Sequence, residues 1–118
     1  MPVRYQITRL TNLAPVECPC GQSRRGFVDD SDQLASMHLV DISADSQTHY
    51  HKQTTEVYYV LEGSGQMELD GERFDISTGD SVLIKPGCRH RAIPAEGGVL
   101  RVLNCATPAF DPGDEFLD

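Results

Sequence analysis

Basic residues are scarce in this chain: 10 lysines and arginines stand against 18 aspartates and glutamates, for a net charge of −8. That balance excludes the concentrated positive surface that nucleic acids and anionic membranes require. Long apolar runs are missing too. Nothing approaches the roughly 20 residues of a membrane-crossing helix. The opening MPVRYQITRL lacks the apolar centre of a secretory signal, so a cytoplasmic location is expected. In that compartment Cys18, Cys20, Cys88 and Cys105 are expected as reduced thiols, with a disulfide only as an accident of oxidation. Cys18-Pro19-Cys20 is not spaced like a redox or zinc-ribbon pair, and no second close pair completes a tetrahedral site. Absent as well are a sustained helical periodicity, a fixed-period repeat, and a linker long enough to separate one domain from another. Residues 1–118 therefore read as one domain.

What the chain does have, from residue 36 onward, is a succession of short strands punctuated by turn residues. Residues 36–42, 56–62, 66–69, 72–76, 81–84 and 99–105 each read as a strand, with a further one near His90. Asp70-Gly71 between two alternating segments is the signal for a tight type I′ hairpin. Short strands with no helix between them predict an antiparallel all-β sandwich or barrel. Residues 1–35 read as a short strand at 5–8 followed by loops, with Arg24-Arg25 on a solvated loop. The acidic tail, 106–118, carries Phe110, Phe116 and Leu117 and is expected to pack on the barrel exterior or on a partner subunit.

The chemistry concentrates in HYHKQTTEVYYVLEG, residues 49–63. His49 and His51 share one face of an extended segment, because side chains alternate with period two. After a polar break, a strand starting near Glu56 can return its carboxylate toward them. His90 follows the turn Lys85-Pro86-Gly87-Cys88 and can enter from the opposite side. Three imidazoles and one carboxylate make a ligand set for a divalent transition metal, with two positions left free on an octahedral ion. Iron, manganese, nickel, zinc, cobalt and copper all suit it.

These residues resemble the cupin superfamily. His49-Tyr50-His51, Glu56 and Gly63 match the spacing of its first motif, and Gly79-Asp80, Gly87 and His90 match its second. Lys85 stands where that second motif has its first proline, and Pro94 where it has a trailing asparagine; neither position is a ligand. The likeness covers residues 36–105. It implies a jelly-roll, double-stranded antiparallel β-barrel holding one divalent metal on His49, His51, Glu56 and His90, a small-molecule ligand in the barrel, and a homodimer with an exchanged N-terminal strand. Cupins include dioxygenases, isomerases, lyases and non-catalytic binders, so the family leaves the reaction open.

Two further residues are candidate substrate contacts. Tyr58 shares a strand face with Glu56 and can point a hydroxyl into the cavity, or merely fill it. Arg101, if it faces inward, would anchor an anionic substrate; facing outward, it would pair with an acid. Cys88 shares the parity of His90, though ordinary packing is preferred for it; Arg89 and Arg91 should face outward, and His38 reads as surface or core packing. The expected function is that of a metal-binding cupin, an enzyme of dioxygenase, isomerase or lyase type acting on a small polar or anionic molecule. The alternatives are a non-catalytic binding or sensor protein, and a barrel whose metal is only structural.

Overall fold

The computed structural model describes residues 3–118, so the first two residues of the expected 1–118 domain lie outside it. Its strands, in chain order, are β1 (Val16–Cys18), β2 (Gly21–Gly26), β3 (Ser36–Ile42), β4 (His49–Tyr50), β5 (Thr55–Glu62) and β6 (Ser64–Leu69). They continue with β7 (Glu72–Ser77), β8 (Ser81–Ile84), β9 (His90–Pro94), β10 (Leu100–Thr107) and β11 (Phe116–Leu117). One antiparallel sheet has the order β1-β2-β3-β10-β5-β8 and the other β11-β4-β9-β6-β7. From β3 onward the chain passes repeatedly from one sheet to the other, the jelly-roll path that the sequence led us to expect. Each strand pairs within its own sheet, so the barrel is two facing sheets rather than one hydrogen-bonded cylinder. No helix among the described residues is long and apolar enough to cross a membrane.

The hairpin at Asp70-Gly71 forms as its sequence requires, with φ of +49° and +86° at the two turn residues. Gly63 is fixed more tightly. Its φ is +92°, and a Cβ there would sit 2.3 Å from the Val99 carbonyl oxygen, so β5 can turn into β6 only at a glycine.

The N-terminal third departs from expectation. Residues 5–8 pair with no strand, and two strands, β1 and β2, occupy what read as loops. β2 adds to the edge of β3 over Gln22–Gly26, so Arg24 and Arg25 lie on a sheet, not on a loop. The polar, glycine-bounded composition of GQSRRG hid this strand, whose partner is distant in sequence.

Strand register divides the barrel interior into a wet end and a dry end. On β5 the inward side chains run Glu56, Tyr58, Val60; on β10, Ala106, Asn104, Val102; on β3, Ser36, His38, Val40. Cross-strand pairing aligns them, His38 opposite Asn104 and Asn104 opposite Tyr58, then Val40 opposite Val102 and Val102 opposite Val60. The dry end continues with Ile42, Met67, Ile76 and Leu100 in one buried cluster. Burying each such side chain stabilises the fold by roughly 1.5–3 kcal/mol, so the dry end holds the sheets together. The wet end is left for chemistry.

Candidate metal centre

His49, His51, Glu56 and His90 meet at the wet end, all buried, with one ligand atom from each lying within 4.8 Å of the others. Both sheets contribute. β4 and β9 bring His49 directly opposite His90, while β5 supplies Glu56 from across the interior. His51 follows β4 at the start of the polar break. Its carbonyl accepts a 2.7 Å hydrogen bond from the Gly87 amide, tying the first motif to the turn of the second.

Each imidazole is oriented through Nδ1. His49 donates to the Gln47 carbonyl at 2.8 Å, His51 to the Asp114 carbonyl at 2.8 Å, and His90 to the Cys88 carbonyl at 2.9 Å. A carbonyl can only accept, so Nδ1 carries the proton in all three rings and Nε2 is turned inward. His51 Nε2 lies 3.0 Å and His90 Nε2 3.1 Å from the same Glu56 oxygen, Oε1. All three atoms are buried without a hydrogen-bond partner. Asn104 donates its side-chain amide to the other carboxylate oxygen, Oε2. The uncompensated oxygen is thus the one facing the rings.

Lone pairs converging on one buried point repel unless a cation lies among them. A separation near 3.0 Å is also the edge of an octahedron with bonds of about 2.1 Å, the usual metal–imidazole length. The donor set therefore fits a divalent transition metal. Burial and the adjacent His90 push His49 down to about 4, leaving it neutral at pH 7 as a ligand must be. Burial lowers His51, but the Glu56 carboxylate beside it raises it on balance, and despite its own burial Glu56 is held well below the usual range by the His51 and His90 rings. The carboxylate thus draws positive charge to this point, as a metal ion or as a proton on His51.

The tail has a structural role that sequence reasoning missed. Asp114, at the end of a short 3₁₀ turn, is buried. Its carboxylate accepts from the backbone amides of Lys52 at 2.9 Å, Gln53 at 3.1 Å and Thr54 at 3.0 Å. With its carbonyl on His51 and β11 paired to β4, the tail clamps the segment that carries the first motif. Beside its packing on the barrel, where Phe116 stacks on Tyr50, the tail thus makes a direct bond onto a candidate ligand. Asp114 lies outside both motifs, and one aspartate in an acidic tail gives no sequence signal.

A cavity adjoins His49, His51 and Glu56, walled by Tyr58, Asn104, His38 and Arg25 from one sheet and covered by Phe110, Glu115 and the Cys18–Cys20 turn. Its free volume, about 20 Å³, is little more than one water requires.

The cupin domain family matches residues 37–105, more than half of the chain. The chain belongs to the cupin family. An uncharacterized protein of Methanocaldococcus jannaschii is 33% identical over 81 residues, covering 68% of this cupin and 65% of that relative. The match thus spans just under two thirds of the relative's own length. A crystal structure of a protein from Planctomyces limnophilus superposes with a TM-score of 0.85 at 33% identity, over 99% of this cupin and 97% of that chain. The Streptomyces protein Pac13, a nucleoside dehydratase whose variants have been solved with uridine, superposes with a TM-score of 0.75. At 18% identity, over 98% of this cupin and 95% of Pac13, that is a likeness of fold.

The remaining sequence candidates separate cleanly. Tyr58 is buried in the cavity wall, its ring 6.3 Å from that of His90. Burial drives its phenol well above the ordinary value, so it stays protonated. His38, expected as packing, is buried in the same wall, with Nε2 2.7 Å from the Ser36 hydroxyl. Arg101 turns outward and pairs with Asp41 directly across the strand at 3.0 Å, so it is no contact for a ligand in the cavity. Replacing it (Arg101→Ala) should change stability by less than about 1 kcal/mol, as expected of a solvent-facing ion pair, and leave metal and ligand binding unaltered in titration calorimetry. Arg89 stacks on Tyr50 and pairs with Asp118, while Arg91 pairs with Glu68, both on the outside as expected.

Cys88 packs beside the apolar cluster and does not line the cavity. Cys18 and Cys20 are joined as a disulfide, with their Cα atoms 5.1 Å apart, in place of the reduced thiols expected. The antiparallel β1–β2 pairing places Cys18 opposite Gly21 and folds the turn back on itself, which brings the two sulfurs together. A pair this close in sequence closes only a three-residue loop, so its contribution to stability is small.

Proposed function

We propose that this cupin binds one divalent transition metal through His49, His51, Glu56 and His90 and acts as a metal-dependent enzyme on a small polar or anionic molecule. The observation that carries this reading is the unpaired set of His51 Nε2, His90 Nε2 and Glu56 Oε1, all buried around one point. The metal would supply a Lewis acid to a substrate carbonyl or enolate oxygen, or, if iron, a site for dioxygen. The protein's own contribution is orientation. The carbonyls behind each Nδ1 fix the rings, and Asn104 holds the carboxylate. Tyr58, protonated at neutral pH, can donate to a substrate oxygen beside the centre. A purely structural metal is favoured by the small free volume, but it would not explain His38, Asn104, Tyr58 and Arg25 gathered on one cavity wall.

Elemental analysis of untagged protein as isolated tests the proposal: about one equivalent of a transition metal per chain is expected for a four-ligand site. Protein that contains none, and takes up none on titration, sinks it. Oxygen uptake in the presence of small acids would then separate a dioxygenase from an isomerase or lyase.

We also propose that the active form is a homodimer. The outer face of β8-β5-β10 exposes Leu83, Val57 and Tyr59, and Leu83 stands directly opposite Val57. Near the N-terminus, Val3, Tyr5 and Ile7 alternate along an exposed, unpaired segment. Such an alternating segment suits addition to a strand edge of a second copy. Light scattering should report twice the 13.0 kDa chain mass, and a monomer at working concentration rules the dimer out.

A further inference from the structure

Among the described residues, Arg73, Arg89, Arg91 and Arg101 pair with carboxylates on the outer surface, and Arg24 donates to the Thr11 and Leu13 carbonyls. Arg25, which lines the metal cavity, has neither kind of partner. It projects from β2 into the wall of the metal cavity, where its guanidinium stacks over Phe110 at 4.1 Å and its Nε is buried without a hydrogen-bond partner. Burial lowers its affinity for the proton, and the nearest influence of opposite sign is Glu115 of the tail, which stands beyond ion-pairing distance. A guanidinium remains charged even so, and a half-buried charge without a counterion is costly.

Register says what that charge faces. Arg25 lies directly opposite His38, His38 opposite Asn104, and Asn104 opposite Tyr58. One unbroken row of inward polar side chains therefore crosses four strands, with Arg25 at one end and the partner of Glu56 near the other. β2 lies two strands from β10, so the far end of the row is roughly 10 Å from Asn104, within the span of a small molecule and one arginine side chain.

We propose that Arg25 is the specificity-determining anion anchor of this cavity, binding the carboxylate of a small organic acid whose other end reaches the metal centre. The inference deepens the proposed function and rests on the same cavity. The planar fork of the guanidinium matches a carboxylate through two parallel hydrogen bonds, and the stack on Phe110 holds the fork in place. Because the free volume holds little more than a water, the acid must displace some of the cover, and Phe110 and Glu115 lie over it.

The test uses diacids against their neutral half-amides: succinate, glutarate and adipate, each paired with its monoamide, titrated calorimetrically into nickel-loaded protein. At least one diacid should bind roughly tenfold to a hundredfold more tightly than its half-amide, the size expected of a charge-assisted hydrogen bond. Arg25→Gln should abolish that preference without weakening the half-amide, and Arg25→Lys should retain some of it. Should Arg25→Gln fail to fold, Arg25→Lys carries the test, because it keeps the charge but loses the fork. A purely structural role for Arg25 would lower the melting temperature yet leave the acid-to-amide ratio intact. That result, or a wild-type protein that prefers none of the three diacids, overturns the proposal. Nickel content is measured separately on the same samples. If no nickel binds, the metal reading fails, and the ratio in the metal-free protein still decides the role of Arg25.

Discussion

Adding nickel or zinc to metal-free protein is expected to raise the melting temperature by roughly 15 °C. At a thousandfold excess over the dissociation constant, an ion that binds only the folded chain contributes about 4 kcal/mol, and a domain of this size shifts by about 4 °C for each kcal/mol. Glu56→Gln keeps the volume of the side chain and removes its charge. Loss of an outer hydrogen-bond partner commonly weakens a metal site up to a hundredfold, so loss of a direct ligand should cost at least that. The metal-induced shift in Glu56→Gln should accordingly fall by about 10 °C or more under the same conditions. Differential scanning calorimetry of both proteins, with and without metal, reads the effect directly. Equal shifts in the two proteins would mean that the ion binds elsewhere, and the four-ligand site would have to be abandoned.

The second large effect belongs to a residue outside both motifs. Asp114→Ala leaves the amides of Lys52, Gln53 and Thr54 without their acceptor, in the segment between His51 and Glu56. Hydrogen bonds to a charged group contribute about 1.5–3 kcal/mol each but overlap strongly when they share one carboxylate, so a total near 3 kcal/mol is expected. The melting temperature should drop by about 12 °C, with metal affinity falling tenfold to a hundredfold as the acceptor of His51 Nδ1 shifts. Acid should reproduce some of this loss. Burial opposes ionisation of Asp114, but the three amides hold its carboxyl below the usual value. Its contribution is therefore fully present above the ordinary aspartate range and is lost as pH falls through the lower folded value. An Asp114→Ala protein should show a smaller loss of stability on acidification than the wild type. If both decline in parallel, the three amides do not depend on that carboxylate.

The cluster of His49, His51, Glu56 and His90 was legible from sequence because each motif is local. His49 and His51 share a strand face, Glu56 lies one polar break away, and His90 follows a glycine turn. Their convergence needs only the jelly-roll path, which the turn residues also announce. Arg25, His38, Asn104 and Asp114 were not legible, because their positions follow from pairings between distant segments. Arg25 enters the cavity only because β2 adds to β3 in one particular register. A shift of one residue would turn it to the outer face and bring Arg24 inward. Arg101 failed for a related reason. Both faces of β10 carry apolar side chains, Leu100 and Val102 within and Leu103 and Cys105 without, so composition could not set its phase. The pairing with β5 also slips between Arg101 and Val102, which no spacing rule anticipates.

The clamp on His51 has a consequence for the order of events during synthesis. Asp114 lies 62 residues beyond Lys52, whose amide it holds, and it is made after all four candidate ligands have been joined to the growing chain. Until it emerges, His49 and His51 are held only by the pairing of β4 with β9 and the bond from the Gly87 amide. The first motif therefore gains its last restraints, the carboxylate on the 52–54 turn and the carbonyl on His51 Nδ1, only once the tail has folded back onto it.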